Sequence, residues 1–447
     1  MSADFSPQNS PVVESLDALV SWFSEGEKRD SPLKIGTEVE KLTFLKDSLR
    51  PLPYTTGIKP LLQALVKHGW EPLPNAEQPT MLKRGSASIT LEPGGQIELS
   101  GAPLMSLDET AEEVDTFLEH LREELSPLEA RISEVALRPD FYPSDVEWMP
   151  RARHQIMRDY LSETGRLAHY MMTLTTTIQA NLDYISEEDM AQKVRVASRL
   201  SPLVTSLFAN SPFGPKGLSG YRSHRAAVWF DVDPARCGFP DVYFQEDFGY
   251  RSYINWVLDI PMFFVLRNDT YSRVDGLTFR QFLNDGWNSE RATIADFELH
   301  LSTLFPEVRL KRFIECRSAD GGPREMTLAL PAFWKGIFYH QASLDAADAL
   351  TQSWDKSTVV HMQRAAAMDG IKAHGQNWNL RTLAHQVLEL SKVGLEALSP
   401  NETHYLSPLE TIADRGETRA DRLIQKYQRA GSTWTAESLE CESRALG

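Results

Sequence analysis

The alternation of polar and apolar side chains predicts β-structure in four segments. The clearest is 86–100, where polar residues alternate with apolar ones on both sides of Pro93-Gly94-Gly95. Alternation assigns side chains to opposite faces of a strand, and the Pro-Gly-Gly step supplies turn residues, so this segment predicts a hairpin. The other strands are predicted at residues 34–44, 173–183 and 309–317.

Apolar residues at helical spacing predict the helices. These lie at residues 13–25, 59–68, 106–135 and 186–208, and the chain is mainly helical from Phe333 onward. Strands and helices are interspersed without a regular βαβ rhythm. The pattern therefore predicts an α+β protein with an antiparallel sheet, and not a doubly wound parallel one. It also predicts a short N-terminal leader with one helix, residues 1–30, followed by a single large domain, residues 31–447.

The ends and the cysteines bear on location. The first ten residues lack a basic segment followed by an apolar run, and no stretch has eighteen consecutive apolar residues, so we expect neither a signal peptide nor a membrane span. Cys237, Cys316 and Cys441 are odd in number and far apart, which is typical of a reducing compartment. We therefore predict a cytoplasmic protein without a disulfide scaffold.

The charge balance excludes one class of function. The chain has 62 Asp and Glu against 46 Lys and Arg, a formal net charge of −16. A protein that binds nucleic acid through a basic surface needs clustered Lys and Arg, so we exclude that role. Hydrophobic residues make up 42% of the chain, which is enough for a large core and argues against disorder.

Carboxylates and amides recur at same-face positions of the predicted strands. The same-face sets are Glu38 with Glu40, Glu92 with Gln96 and Glu98, Gln179 with Asn181, and Glu315 with Arg317. An ordinary solvent-facing surface is one interpretation. Glutamate has low strand propensity, however, and Mg²⁺ prefers carboxylate and phosphate oxygens, so the enrichment favours a magnesium–nucleotide site.

Other candidate groups are less specific. An arginine at 222 or 225, after a glycine-rich loop and before Trp229, could clamp a substrate carboxylate or be an ordinary surface residue. The Gly94-Gly95 pair lacks a GxxxxGK[ST] pattern, so we interpret it as a turn and not a phosphate loop. Cys316 should face the apolar side as a core thiol. Four histidines are isolated and carry no functional assignment: His68, His154, His169 and His224.

A series of short motifs runs in order from about residue 30 to 430. The most specific is LEPGGQIELSGAP at 91–103, accompanied by KIGTEVE at 34–40 and FIECR at 313–317. Further motifs are QANLD at 179–183, LFANSPF at 207–213, DPARCG at 233–238, LDIPM at 258–262, LPAFW at 330–334, and residues 406–418. Together they resemble the plant and proteobacterial type of glutamate–cysteine ligase, within the glutamine-synthetase-like superfamily of carboxylate–amine ligases.

The resemblance implies a glutamine-synthetase-like catalytic fold, in which helices surround a curved antiparallel sheet whose concave polar face binds ATP and Mg²⁺. The implied metal ligands are Glu38, Glu40, Glu98, Asn181 and Glu315, with Glu92 as a further candidate. The implied nucleotide-binding residues are Glu92, Gln96, Gln179 and Arg317. Arg225, Trp229 and Arg222 would bind substrate, and Arg317, Glu315 and Arg225 would be catalytic, with Arg317 on the transferred phosphoryl group.

The implied reaction is ATP-dependent joining of L-glutamate to L-cysteine through γ-glutamyl phosphate, the first step of glutathione biosynthesis. We expect a monomer or homodimer with no nucleic-acid or membrane partner. Ala226 and Ala227 stand where the family commonly has a serine and another polar residue, so a γ-glutamyl ligase with a different amine acceptor remains an alternative. A non-catalytic binding homologue is a third, and retention of the four glutamates among the implied ligands argues against it.

Overall fold

The computed structural model describes residues 10–73 and 79–433. Cys441 therefore lies outside the described residues, as does most of the segment considered for a signal peptide. The strands are β1 (Ile35–Leu45), β2 (Glu71–Leu73), β3 (Met81–Arg84), β4 (Ala87–Leu91), β5 (Ile97–Ser100), β6 (Ala130–Ser133), β7 (Thr177–Leu182), β8 (Phe213–Gly214), β9 (Gly217–Leu218), β10 (Cys237–Gly238), β11 (Phe264–Arg267), β12 (Thr270–Arg273), β13 (Phe305–Pro306), β14 (Val308–Leu310) and β15 (Ile314–Asp320).

Helices cover most of the remaining chain. They are α1 (Leu16–Ser24), α2 (Lys59–Leu65), α3 (Leu107–Leu125), α4 (Ala152–Thr164), α5 (Ala168–Leu174), α6 (Glu187–Leu207), α7 (His224–Trp229), α8 (Tyr250–Leu258), α9 (Phe279–Asp285), α10 (Ile294–Leu301), α11 (Arg324–Phe338), α12 (Gln341–Thr351), α13 (Lys356–Asp369), α14 (Leu380–Leu398), α15 (Ser407–Arg415) and α16 (Arg419–Arg429). Short 3-10 or π segments are Tyr54–Ile58, Val66–His68, Ser126–Leu128, Pro143–Asp145, Asp241–Phe244, Gly370–Lys372 and Pro400–Leu406. Among the described residues, no helix is long and apolar enough to cross a bilayer.

The strands form a large antiparallel sheet with β1 near its centre. The order is β14-β15-β7-β1-β5-β4-β3-β2, and β6 pairs with the end of β1. One face of the central strands is apolar: the fully buried side chains of Val39, Ile97, Leu99 and Ile178 join the main core. The other face carries the polar residues that alternate with them. The α+β class and the antiparallel sheet predicted from the sequence are confirmed.

The hairpin predicted at 86–100 is present as β4 and β5. Its turn approaches another part of the chain closely, because a Cβ on Gly94 would lie 2.2 Å from the carbonyl oxygen of Thr173. Gly95 has a φ of 83°, a left-handed conformation that glycine adopts without strain. The two glycines therefore fit the predicted turn and allow it to pack closely against the end of α5.

Three predicted elements are wrong in extent. The predicted helix at 106–135 ends with α3 at Leu125, because Pro127 and the left-handed Glu129 (φ 48°) redirect the chain into β6. The strand predicted from residue 173 begins only at Thr177, after α5. The single strand predicted at 309–317 is instead the hairpin β14–β15, in which Arg309 stands opposite Glu315.

The N-terminal helix packs against the main core. Ser15 caps α1, accepting a hydrogen bond from the Ala18 N–H, and Trp22 and Phe23 pack edge-on against Phe297. The division into a leader, 1–30, and one domain, 31–447, stays a prediction. Cys316 is buried in the main core, as its position between two polar-face residues predicted.

The contact between Gly94 and Thr173 generates a stability prediction. Gly94→Ala should lower the free energy of unfolding by about 3 kcal/mol, the upper end of the usual cost of overpacking, because backbone atoms cannot move aside as a side-chain end can. Gly322→Ala is the matched control, since its added Cβ would meet Met326 at an ordinary 3.4 Å. Urea denaturation measures both, and equal losses would contradict the close approach.

Candidate active site

A cavity opens on the polar face of the central strands. The loop before α4, the start of α4, and residues of α5 and α7 also line it. Nine of the residues predicted from the sequence line it: Glu38, Glu40, Glu92, Gln96, Glu98, Gln179, Arg225, Trp229 and Arg317. Strand pairing produces this convergence, because Glu40 lies directly opposite Glu98, and Glu38 directly opposite Gln179.

Carboxylates dominate the part of the cavity built by β1, β4 and β5, which we call the acidic half (Glu38, Glu40, Glu92 and Glu98). Glu98 accepts hydrogen bonds from Thr90 Oγ1 at 2.8 Å and from Ser100 Oγ at 3.1 Å. Glu40 accepts one from the Thr177 N–H at 3.0 Å. These bonds fix the directions of two carboxylates without supplying any positive charge.

The close spacing of the carboxylates in the acidic half raises the pKa values of two of them. Burial, together with the neighbouring carboxylates of Glu38 and Glu92, raises the pKa of Glu98 to about 8. Burial and the charges of Glu92 and Glu98 likewise raise the pKa of Glu40 well above its ordinary value. A cation between these carboxylates would favour their ionised forms.

Asn181 adds an oxygen beside the acidic half. Its Nδ2 donates to Glu38 Oε1 at 2.8 Å, which fixes the orientation of the amide. Its buried Oδ1 accepts no hydrogen bond from the described residues. A buried acceptor without a donor is costly, and a bound cation would satisfy it. Buried carboxylates with one unpartnered amide oxygen suit a hard divalent cation.

Glu315 lies in an opposite environment. Its carboxylate is 0% exposed and is bound by three cations. Arg309 Nε lies 2.6 Å from Oε2 and Arg309 Nη2 2.7 Å from Oε1, while Arg317 Nη1 lies 2.7 Å from Oε1 and Lys311 Nζ 3.1 Å from Oε2. Burial alone would raise the pKa of Glu315, but these cations outweigh it and hold the pKa well below its ordinary value. Because both oxygens are already engaged, the structure does not support Glu315 as a metal ligand.

Arg317 lies between this cluster and the cavity. Its Nη1 also donates to Gln179 Oε1 at 2.6 Å, so Glu315 and Gln179 together fix the guanidinium. Lys311 and Arg309 line the cavity beside it. We call Arg309, Lys311, Arg317 and Arg225 the cationic half.

Arg225 reaches the cavity from α7, which is anchored by a buried aspartate. Asp320, at the end of β15, accepts hydrogen bonds from Ser211 Oγ at 2.6 Å and from Ser223 Oγ at 2.7 Å. Ser223 is the N-cap of α7, so this contact fixes where the helix begins. Arg225 Nη2 then donates to the Arg317 carbonyl at 3.2 Å, which joins the two arginines.

Two further sequence assignments, besides Glu315 as a metal ligand, do not fit the geometry. Arg222 does not line the cavity; its Nε donates to Asp421 Oδ1 at 3.0 Å, and Asp421 does not line the cavity either. Both ends of the Gln96 side-chain amide are hydrogen-bonded to the backbone. Its Oε1 accepts from the Gly94 N–H at 2.9 Å, and its Nε2 donates to the Thr175 carbonyl at 2.9 Å. Gln96 thus fastens the hairpin turn to the chain before β7 and is not free to bind a nucleotide.

A basic group on the cavity wall was not predicted from the sequence. Arg151, Arg153 and His154 line the cavity from the start of α4. Burial and the two arginine charges lower the pKa of His154 well below its ordinary value, and its Nδ1 has no partner among the described residues. The run Arg151-Ala-Arg153-His154 was a visible signal, but nothing in the strand pattern placed this helix over the sheet.

Comparison with known proteins identifies relatives over nearly the whole chain. The family model described as "Glutamate-cysteine ligase family 2(GCS2)" matches residues 34–440. The chain is 38% identical over 414 residues to the chloroplastic glutamate–cysteine ligase A of Oryza sativa subsp. japonica, which covers 92% of this chain and 84% of that protein. It is also 38% identical over 412 residues to the chloroplastic glutamate–cysteine ligase of Arabidopsis thaliana, which covers 92% and 79%.

The prediction of a cytoplasmic location is wrong. The curated relatives from Oryza sativa, Nicotiana tabacum and Arabidopsis thaliana are chloroplastic proteins. The small number of cysteines indicates only a reducing environment, and that does not specify a compartment.

A solved structure confirms the fold. The glutamate–cysteine ligase of Francisella tularensis in complex with AMP superposes with a TM-score of 0.57 at 14% identity and covers 90% of this chain and 86% of that one. At this identity the likeness concerns the fold alone. The match to the family model and the 38% identity over 92% of the chain show that this chain belongs to glutamate-cysteine ligase family 2.

Proposed function

We propose that this protein uses ATP to join the γ-carboxylate of L-glutamate to the amine of L-cysteine, forming γ-glutamylcysteine. The observation that carries the proposal is the juxtaposition, on one sheet face, of the acidic half with the cationic half. A ligase of this kind must hold a nucleoside triphosphate and a substrate carboxylate side by side. The relatives named above carry the same activity in their names.

The reaction requires activation because a carboxylate is a poor electrophile. The γ-carboxylate oxygen of glutamate attacks the γ-phosphorus of ATP, the bond to the β-phosphate oxygen breaks, and ADP leaves. The amine of cysteine then attacks the acyl carbon of γ-glutamyl phosphate, and the C–O bond breaks to release phosphate as the ammonium protons are lost. Such transfers depend mainly on positioning and charge neutralisation.

The acidic half fits a magnesium site. Glu38, Glu40, Glu98 and Asn181 supply the oxygens, with Glu92 as a further candidate. Mg²⁺ bound there would neutralise triphosphate charge and relieve the repulsion among the carboxylates. The role of Glu315 is different: it holds Arg317 in place, as a positioning residue.

The cationic half would bind the anionic groups of the substrates. Arg317 is placed to stabilise the phosphoryl group in transfer, with Gln179 fixing its direction. Arg225 is buried beside it and would bind a carboxylate of glutamate, with Trp229, four residues further along α7, forming part of the wall. Residues 31–447 would act as one catalytic domain.

A different amine acceptor is the second candidate. Ala226 lines a small side pocket with Trp229, Glu307 and Gln363, next to Arg225. A serine at this position would offer a hydrogen bond to the substrate, whereas Ala226 offers only a methyl group. This side pocket therefore favours an amine acceptor with different polar groups.

An amine panel separates these two functions. With L-glutamate and ATP supplied, ADP release should be fastest with L-cysteine and several-fold slower with L-alanine, L-serine or glycine. Release of ADP is followed by a coupled assay, and product identity by mass spectrometry. A clear preference for another amine would favour the second candidate, whereas no glutamate-dependent ADP release with any amine would contradict both.

Paired variants separate metal binding from positioning. Glu98→Gln should raise the Mg²⁺ concentration needed for half-maximal rate by about 10–100-fold, because a charged ligand is lost. Glu315→Gln should lower kcat by about 100-fold with little change in that concentration, because Arg317 loses its anchor. Initial rates across a Mg²⁺ titration measure both. A large Mg²⁺ shift in Glu315→Gln would contradict its assignment as a positioning residue.

The raised pKa of Glu98 gives a pH prediction. At Glu98 the folded metal-free protein keeps a proton that the unfolded chain loses between the ordinary carboxyl pKa of 4.5 and about 8, so the contribution of Glu98 to stability should fall as pH rises through that range. Mg²⁺ should restore stability at the upper end. Thermal unfolding with chelator or Mg²⁺ tests this, and Glu98→Gln should remove this contribution. An identical pH dependence of stability in Glu98→Gln and in the unaltered metal-free protein would contradict the carboxylate repulsion.

A further inference from the structure

We propose a second metal site, separate from the cavity, where the 3-10 turn Val66–His68 meets the last turn of α3. Its ligands are His68 Nε2 and the carboxylates of Glu123 and Glu124, and its metal is a divalent transition ion such as Zn²⁺ or Co²⁺. None of these residues lines the cavity. The inference is therefore independent of the proposed ligase activity.

The three ligand groups already converge. One potential ligand atom from each lies within 4.8 Å of the others. His68 Nε2 is 2.8 Å from Glu124 Oε1 and 3.9 Å from Glu123 Oε2. Zinc bonds of about 2.0–2.2 Å in tetrahedral geometry place neighbouring ligand atoms roughly 3.2–3.6 Å apart. The observed distances bracket that range, so small side-chain rotations suffice.

The surrounding structure holds two of the three ligands in place, while the Glu123 side chain is 56% exposed. The Glu124 side chain is 7% exposed and that of His68 13% exposed. The His68 ring stacks on the His120 ring with centroids 4.0 Å apart. Gly69, left-handed at φ 83°, ends the turn directly after His68. The ordering cost of binding is therefore partly met by the fold itself.

The placement of charge also indicates a cation. Glu123 and Glu124 lie in the last turn of α3, where the helix dipole favours positive charge and disfavours carboxylates. At present Lys67 supplies the compensating charge: its Nζ lies 2.7 Å from Glu124 Oε1 and 3.3 Å from Glu123 Oε1. Its side chain is 56% exposed, so the ammonium can return to water at little cost.

The donor set selects the class of metal. An imidazole nitrogen with two carboxylates suits Zn²⁺, Co²⁺ or Ni²⁺, whereas Mg²⁺ prefers oxygen ligands throughout. The acidic half of the cavity offers oxygens only, so the two sites should bind different ions from a mixture. A metal at His68 would cross-link the turn after α2 to α3.

Calorimetric titration of the full chain with Zn²⁺, in excess Mg²⁺ to occupy the cavity, tests the site. We expect one Zn²⁺ per chain, bound at least tenfold more weakly by His68→Ala and by Glu124→Gln. Lys67→Met should bind Zn²⁺ more tightly than the unaltered protein, because the competing ammonium is gone. Co²⁺ absorption in the visible range gives an independent measure of nitrogen ligation.

Two matched controls use similar surface pairs elsewhere. His385 lies 3.8 Å from the single carboxylate of Asp414, and Lys356 pairs with Asp241 at 2.8 Å. His385→Ala and Lys356→Met should leave Zn²⁺ binding unchanged. Tighter binding in a Lys67→Met variant whose thermal unfolding matches that of the unaltered protein supports the site even where His68→Ala is unstable. Equal Zn²⁺ affinity in Lys67→Met and Lys356→Met, or in His68→Ala and His385→Ala, would overturn the proposal.

Discussion

The mutual repulsion of closely spaced carboxylates is the constraint on which the site depends. Pairing of β1 with β5 sets Glu40 directly opposite Glu98, and both side chains are half-buried in the cavity. Like charges opposed on neighbouring strands are destabilising, and burial increases the cost. Because these carboxylates lie on the central strands, a cation bound between them would relieve their repulsion. A net-acidic protein can therefore bind a nucleotide together with that cation.

Polar contacts between distant parts of the chain hold the other side of the cavity. Asp320 joins the end of β15 to Ser223, 97 residues earlier in the chain, and so determines where α7 presents Arg225. Gln96 fastens the hairpin turn to the residues before β7. Buried, satisfied polar networks of this kind specify one arrangement, because each broken contact leaves an unpaired group. The cavity is therefore positioned by contacts that never touch a substrate.

Much of the fold and part of the site could be predicted from the sequence. Alternation along each strand correctly assigned Glu38, Glu40 and Glu98 to one face, because the two-residue period is a local property. The environment of Glu315 could not be predicted, since a missed turn hid the hairpin that brings Arg309 opposite it. The basic wall at Arg151 was also missed, because no strand pattern states which helix covers a sheet. The roles assigned to these residues stay predictions.

Glu98 and Glu315 show how far the neighbouring strand decides the chemistry of a side chain. Both are glutamates of the same sheet, Glu98 half-buried and Glu315 fully buried, yet the pKa of Glu98 is raised by burial and adjacent carboxylates, while that of Glu315 is held down by cations. Arg309 on the edge strand β14 and Lys311 just after it supply most of that difference. Arg309 and Lys311 are two of the four cations of the cationic half, and the other two, Arg317 and Arg225, come from β15 and α7. The edge strand therefore strengthens the division of the cavity into two halves, which would hold a metal–nucleotide and a carboxylate side by side.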